Sequence, residues 1–154
     1  MFHLILHEPE IPPNTGNLIR LCANTGTQLH LIQPLGFTLE DKNLRRAGLD
    51  YHEWATVKIH ADFAAFLDTI QPQRIFAYST HGKHLYTKVQ YQPGDALLFG
   101  SETKGLPASL RESLNPEQVL RVPMLNNQRS LNLSNAAAVV IFEAWRQHDF
   151  EGGI

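Results

Sequence analysis

A chain of 154 residues suits one compact domain, spanning residues 1–154, and 43% hydrophobic with 18% charged residues excludes a disordered segment. No apolar run approaches the roughly 20 residues of a membrane span, and the start, Met1-Phe2-His3-Leu4-Ile5-Leu6-His7-Glu8, has no basic leader region and reads as a strand. A formal net charge of −2 excludes a broadly basic nucleic-acid binder, so any RNA affinity must come from local patches or from two copies pooling their charge.

Apolar runs alternate with helical stretches along the whole chain. The pattern predicts strand 2–7, helix 15–24, strand 28–33, helix 41–47, strand 56–59, helix 62–70, strands 74–79 and 96–100, helix 107–113, strand 118–122 and helix 134–147. Such alternation implies an α/β fold, a mostly parallel sheet with helices on both faces. Ligands in these sheets bind beyond the carboxyl ends of the strands, so the loops after strands carry the information. The single cysteine, Cys22, sits among apolar neighbours; it reads as a core thiol, forms no internal disulfide and suits a reducing, cytoplasmic setting. In the last helix, Ala136-Ala137-Ala138-Val139-Val140-Ile141-Phe142 is apolar on every side. Such a helix is normally buried all round. In a domain this small, a second copy of the chain is the simplest cover, so a homodimer is expected.

Three segments carry candidate chemistry. The first, Pro9-Glu10-Ile11-Pro12-Pro13-Asn14-Thr15-Gly16-Asn17-Leu18-Ile19-Arg20, follows the first strand. Its prolines hold an extended approach, Asn14 or Thr15 can cap the helix, and Asn17, Arg20 and Asn24 form a polar stripe. Arg20 can point toward a ligand crevice or be a solvated surface charge. The second, Phe99-Gly100-Ser101-Glu102-Thr103-Lys104-Gly105-Leu106-Pro107, joins a strand to a helix. Gly100 and Gly105 match the outer glycines of a phosphate-binding P-loop, but Leu106-Pro107 stands where lysine and a hydroxyl would grip phosphate and magnesium, which excludes that nucleotide site. The glycines still let backbone approach a flat ligand closely. The third runs from Val122 to Asn135 and ends in Ser130-Leu131-Asn132-Leu133-Ser134-Asn135, rich in capping groups. A loop of this length inside a compact domain is usually functional. It sets Met124 and Leu131 beside Ser130 and Asn132, which suits a ligand with an apolar face and polar edges.

In this order, N-x-G-N-x-x-R, F-G-x-E-x-x-G-L-P, and P-M followed by R-S-L-N-L-S-N-A resemble the three motifs of the SPOUT methyltransferases. L-R-R-A-G-L-D-Y-H at 44–52 and E-A-W-R-Q at 143–147 resemble one branch, the TrmL (YibK) family of tRNA (cytidine/uridine-34-2′-O)-methyltransferases, over essentially the whole chain. The resemblance implies a deep trefoil knot toward the carboxyl end, an obligate dimer and S-adenosylmethionine as methyl donor. It implies a tRNA anticodon stem-loop as substrate, with leucine tRNAs the first candidates. Carried over by position, it places the cofactor against Tyr78, Thr80, Gly100, Gly105, Val122, Ser130 and Leu131. It makes Arg20 the catalytic arginine, supported by Asn14, Glu102, Ser130 and Asn132. Phe142 stands where some relatives carry tyrosine, which leaves it a packing role.

For RNA contact the candidates are Lys42, Arg45, Arg46 and Arg129; the first three lie on one short segment and could track a run of phosphates, or form a solvated face. His81-x-x-His84 lacks a third ligand, so no metal is expected. The alternatives are a related 2′-O-methyltransferase acting on another tRNA position or on rRNA, and a catalytically silent RNA-binding dimer. An oxidoreductase is disfavoured because the first strand–helix turn lacks G-x-G-x-x-G.

Overall fold

The computed structural model describes residues 1–45 and 51–154. In chain order the strands and helices are β1 (His3–His7), α1 (Pro12–Thr25), β2 (Gln28–Ile32), α2 (Lys42–Arg45), α3 (Tyr51–Ala55), β3 (Lys58–His60), α4 (Phe63–Ile70), β4 (Ile75–Tyr78), β5 (His84–Leu85), β6 (Ala96–Phe99), α5 (Ala108–Glu112), β7 (Val119–Arg121) and α6 (Leu133–Arg146).

Seven strands form one sheet in the order β3-β2-β1-β6-β4-β7-β5. The expected mostly parallel sheet is parallel at every pairing among the described residues. Its central strands are continuous apolar runs because both faces are covered. Leu4 and Leu6 of β1 face a core shared with Leu18 and Cys22 of α1 and Ala137 and Ile141 of α6. Ile5, one residue out of phase, faces the opposite core with Ile32, Leu98 and Phe66 of α4, against which Leu110 of α5 packs. Helices therefore cover both faces, as the alternation implied.

The strand order sets the site. Tyr78 of β4 lies beside Phe99 of β6 and Leu120 of β7, and Leu6 of β1 beside Phe99. The loops leaving β1, β4, β6 and β7 thus emerge side by side at the carboxyl edge.

Several expectations are corrected. Helix α1 begins at Pro12, not at residue 15, and its N-cap is Ile11, with no side-chain cap; neither Asn14 nor Thr15 caps it. Two prolines fill the first turn, where their missing N–H groups are no loss. The third strand is Lys58–His60 rather than 56–59, and α3 and the two-residue β5 had no periodic signal to announce them. Helix α6 starts one residue early, at Leu133, capped by Asn132, whose Oδ1 accepts from the backbone N–H of Ser134 (2.9 Å) and Asn135 (3.3 Å). Within the chain α6 is not buried all round. Leu133, Ala137, Val140, Ile141 and Ala144 are covered, while Val139 and Phe142 are 43% and 44% exposed. Part of the predicted 41–47 helix and the following stretch to Asp50, Arg46 included, lies outside the described residues.

Candidate active site

The loop after β6 is a tight ring. The Gly105 N–H donates to the Ser101 carbonyl at 2.9 Å, and Gly105 sits at φ +66°, a backbone state that favours glycine. A Cβ on Gly100 would lie 2.1 Å from the Gly105 carbonyl carbon and 2.2 Å from the Leu106 nitrogen. Gly100 is therefore required by contact between two backbone segments.

At the tip of this ring, the Glu102 carboxylate reaches back to the start of α1. It accepts from the backbone N–H of Glu10 (2.8 Å) and Ile11 (3.1 Å) and from Asn14 Nδ2 (3.3 Å). The anion thus satisfies donors that α1 leaves without its own cap. Asn14, almost fully buried, turns its Oδ1 to accept from Asn132 Nδ2 at 3.0 Å. Asn132 Oδ1 accepts in turn from Ser134 Oγ at 2.6 Å and caps α6. One chain, Glu102–Asn14–Asn132–Ser134, ties together three loops far apart in sequence.

The fourth wall is the loop after β4. The Ser79 N–H donates to the Leu120 carbonyl (3.0 Å), and Gly82 presses on the same strand, where a Cβ would lie 2.5 Å from the Leu120 carbonyl. The Tyr78 ring stacks on Phe99 with centroids 4.6 Å apart, and its hydroxyl lies 3.0 Å from that of Tyr91. Burial, reinforced by Tyr91, pushes the Tyr78 hydroxyl pKa well up. That side chain serves packing, and the ring and backbone are what it offers a ligand.

These loops enclose a cavity of about 460 Å³. Asn14, Tyr78, Thr80, Gly100, Glu102 and Gly105 line it, as do Val122, Ser130, Leu131 and Asn132. The three motif segments converge here. Arg20 is not part of this lining: it lies on the outer side of α1, 47% exposed, with Nε 3.4 Å from the Glu53 carboxylate. Lys42 and Arg129 are exposed and not part of the lining, although Arg129 directly precedes the lining residue Ser130; Arg45 closes α2, and Phe142 packs edge-on against Trp145. Ile11, His81, Lys104 and Arg111 also line the cavity, and sequence reasoning missed them. Arg111 lies four residues after Pro107 on α5, and the strand–helix turn was the one available signal.

Ile11, Leu106, Met124 and Leu131 give the cavity apolar surface beside polar loop edges, and its volume falls in the range of small-molecule sites. The sequence profile of the SpoU rRNA Methylase family matches residues 1–142. The chain belongs to the SpoU methylase family. Among its relatives, the tRNA (cytidine(34)-2′-O)-methyltransferase of Methylovorus glucosotrophus strain SIP3-4 is 55% identical over 154 residues, covering 100% of both chains. A solved structure bearing on the 2-OH methylation of C/U34 on tRNA superposes with a TM-score of 0.88 at 42% identity, covering 98% of each chain. The SpoU methyltransferase AviRb from Streptomyces viridochromogenes, solved in complex with AdoMet, shares the fold at a TM-score of 0.81 and 21% identity, covering 99% of this chain and 58% of that one. In this SpoU methylase no group of three or more His, Cys, Asp or Glu is placed to hold a metal among the described residues, and no helix there is long and apolar enough to cross a membrane.

Proposed function

We propose that this chain transfers a methyl group from S-adenosylmethionine to the ribose 2′ oxygen of nucleotide 34, cytidine or uridine, in tRNA. The convergence of Glu102, Asn14 and Asn132 around one cavity carries the reading, together with full-length likeness to relatives named for that reaction.

The residues present fit the cofactor. Gly100 leaves no room for a side chain, so backbone forms the wall for a flat adenosyl group, with Leu106, Val122 and Leu131 supplying apolar surface. Tyr78, Thr80 and Gly105 complete that wall, and Ser130 and Asn132 stand at its polar edge. Bound there, S-adenosylmethionine supplies a methyl group on a sulfonium, which passes to the 2′ oxygen as the carbon–sulfur bond breaks and the hydroxyl proton leaves. The chain's own task is alignment and exclusion of water.

Arg20 has no place in the cavity of its own chain, so its role needs a second copy to bring it there. The exposed Val139 and Phe142 of α6, and Leu131 at the cavity rim, supply apolar surface for such a homodimer. A guanidinium is a poor proton donor and a poorer general base. Arg20 therefore holds an RNA phosphate and stabilises negative charge growing on the 2′ oxygen, while water or phosphate takes the proton. Lys42, Arg45, Arg46 and Arg129 track the anticodon stem-loop, doubled across the dimer. Residues 1–154 act as one domain in the cytoplasm, with the 122–132 loop closing a trefoil knot; the tight passage of Gly82 against β7 supports that route.

Leucine tRNAs incubated with enzyme and S-adenosylmethionine, digested and analysed by nucleoside mass spectrometry, test this. One ribose-methylated nucleotide at position 34 is expected. Methylation confined to another position or to rRNA contradicts the assignment.

A further inference from the structure

The cavity holds few ionisable groups, and their commitments differ. The Glu102 carboxylate is occupied by three donors from the start of α1. Lys104 is exposed and lies close enough to Glu10 to help, after hydrogen bonds from Thr103 and Ser101, hold that carboxyl below its usual range. Arg111 differs in being half-buried: it lines the cavity, and its guanidinium makes no hydrogen bond or ion pair with any described residue. Its backbone is fixed, since the Arg111 N–H donates to the Pro107 carbonyl at 3.0 Å and Leu110 beside it packs into the core under α4. Pro107 in turn follows Leu106, whose nitrogen is held against Gly100. The ring that shapes the cavity therefore also sets where Arg111 stands.

We infer that Arg111 is a binding residue for the carboxylate of the cofactor's methionine arm. The inference rests on the methyl-transfer reading above and names which part of the cofactor this side chain recognises. The arm carries an ammonium and a carboxylate, and the carboxylate needs a cation or several donors once water is displaced. Arginine's planar fork can donate two parallel hydrogen bonds to a carboxylate, which a lysine cannot. A solvated arginine merely closing α5 would give cofactor binding no dependence on that carboxylate.

Calorimetry on the full chain with two probes tests this: S-adenosylmethionine and its decarboxylated form, which keeps the adenosine, sulfonium and amine. Wild type should bind the decarboxylated probe about tenfold to a hundredfold more weakly, the scale of a charge-assisted pair. Arg111→Gln should weaken S-adenosylmethionine binding by a similar factor and leave the decarboxylated probe within about twofold, so that the variant no longer distinguishes the two. Arg111→Lys should fall between, and it keeps the charge and stem if glutamine unsettles α5. Equal losses for both probes in Arg111→Lys, or unchanged S-adenosylmethionine affinity with a raised KM for tRNA, overturns the inference; the second result would make Arg111 an RNA phosphate contact. Wild type that binds neither probe fails the methyl-transfer reading itself. Wild type that binds both equally ends only the assignment of Arg111.

Discussion

Replacing Gly100 by alanine drives a methyl group into a backbone crossing. The added carbon would meet the Gly105 carbonyl carbon at 2.1 Å and the Leu106 nitrogen at 2.2 Å, more than an ångström inside ordinary contact. Neither neighbour is a flexible side-chain end, so the two strands of the ring must separate. Overpacking of this kind costs about 1–3 kcal/mol. For a chain of this size, that lowers Tm by roughly 3–10 °C. Gly105→Ala gives the control. Nothing lies within 4 Å of its Cβ, and its penalty is the left-handed backbone alone, about 1–2 kcal/mol. Asparagine tolerates that conformation better, so Gly105→Asn should cost less still. Thermal melts should therefore rank Gly100→Ala below Gly105→Ala below Gly105→Asn, and calorimetry should show cofactor affinity falling most in Gly100→Ala. A Gly100→Ala protein that melts and binds as wild type would refute the close approach as the reason for glycine.

His30 is fully buried in a hydrogen-bonded file, His3 Nδ1 to His30 Nε2 at 3.0 Å and His30 Nδ1 to His60 Nε2 at 2.9 Å. Burial, then the charges of its neighbours, lowers its pKa from 6.5 to about 3. The unfolded chain takes up a proton below about pH 6.5 while the native state does not, so this stability is full above that pH and falls by about 1.4 kcal/mol per unit toward pH 3. Urea melts of His30→Gln should show a shallower loss between pH 7 and 5 than wild type; an unchanged slope would place acid sensitivity elsewhere. Burial pushes the Cys22 thiol up to about 12, so iodoacetamide should label it only after denaturant is added, and rapid labelling of native protein would contradict the core assignment. Glu102→Gln keeps one acceptor oxygen and turns an NH2 either on the Glu10 N–H or on the Ile11 and Asn14 donors, so it should cost about 1–3 kcal/mol in a chemical melt, and a neutral result would deny the clamp its role. Arg20→Ala and Gly100→Val, each inactive alone, should regain about a quarter of wild-type methyl transfer when refolded together, because in the proposed homodimer half the pairs would be mixed and each would carry one complete site. No regain would place Arg20 in its own chain's reaction or in none.

Much of the fold is legible in the sequence because β1, β2, β4 and β6 are short apolar runs bounded by breakers, and parallel strands buried on both faces require that pattern. The periodic signal fails where elements are too short to carry it: β5 has two residues and α3 has five. It also misplaces the start of α1: Pro12 and Pro13 occupy the first turn, where a helix tolerates proline, and in place of a local side-chain cap Glu102 reaches in from another loop, a contact across 88 residues. The site residues were legible as motifs rather than as physics. Glycines and amides of the three segments mark where backbone must approach backbone, and the resemblance supplied their common purpose. Arg111 escaped because a lone arginine on a short helix looks like any surface charge until the cavity is seen.

The most direct measurement uses a leucine tRNA carrying a 2′-deoxy sugar at nucleotide 34 and no other change. Labelled methyl groups should pass to the unmodified tRNA and not to the deoxy one, which should still bind and inhibit competitively. Undiminished methylation of the deoxy tRNA would put the acceptor oxygen somewhere else and contradict the account.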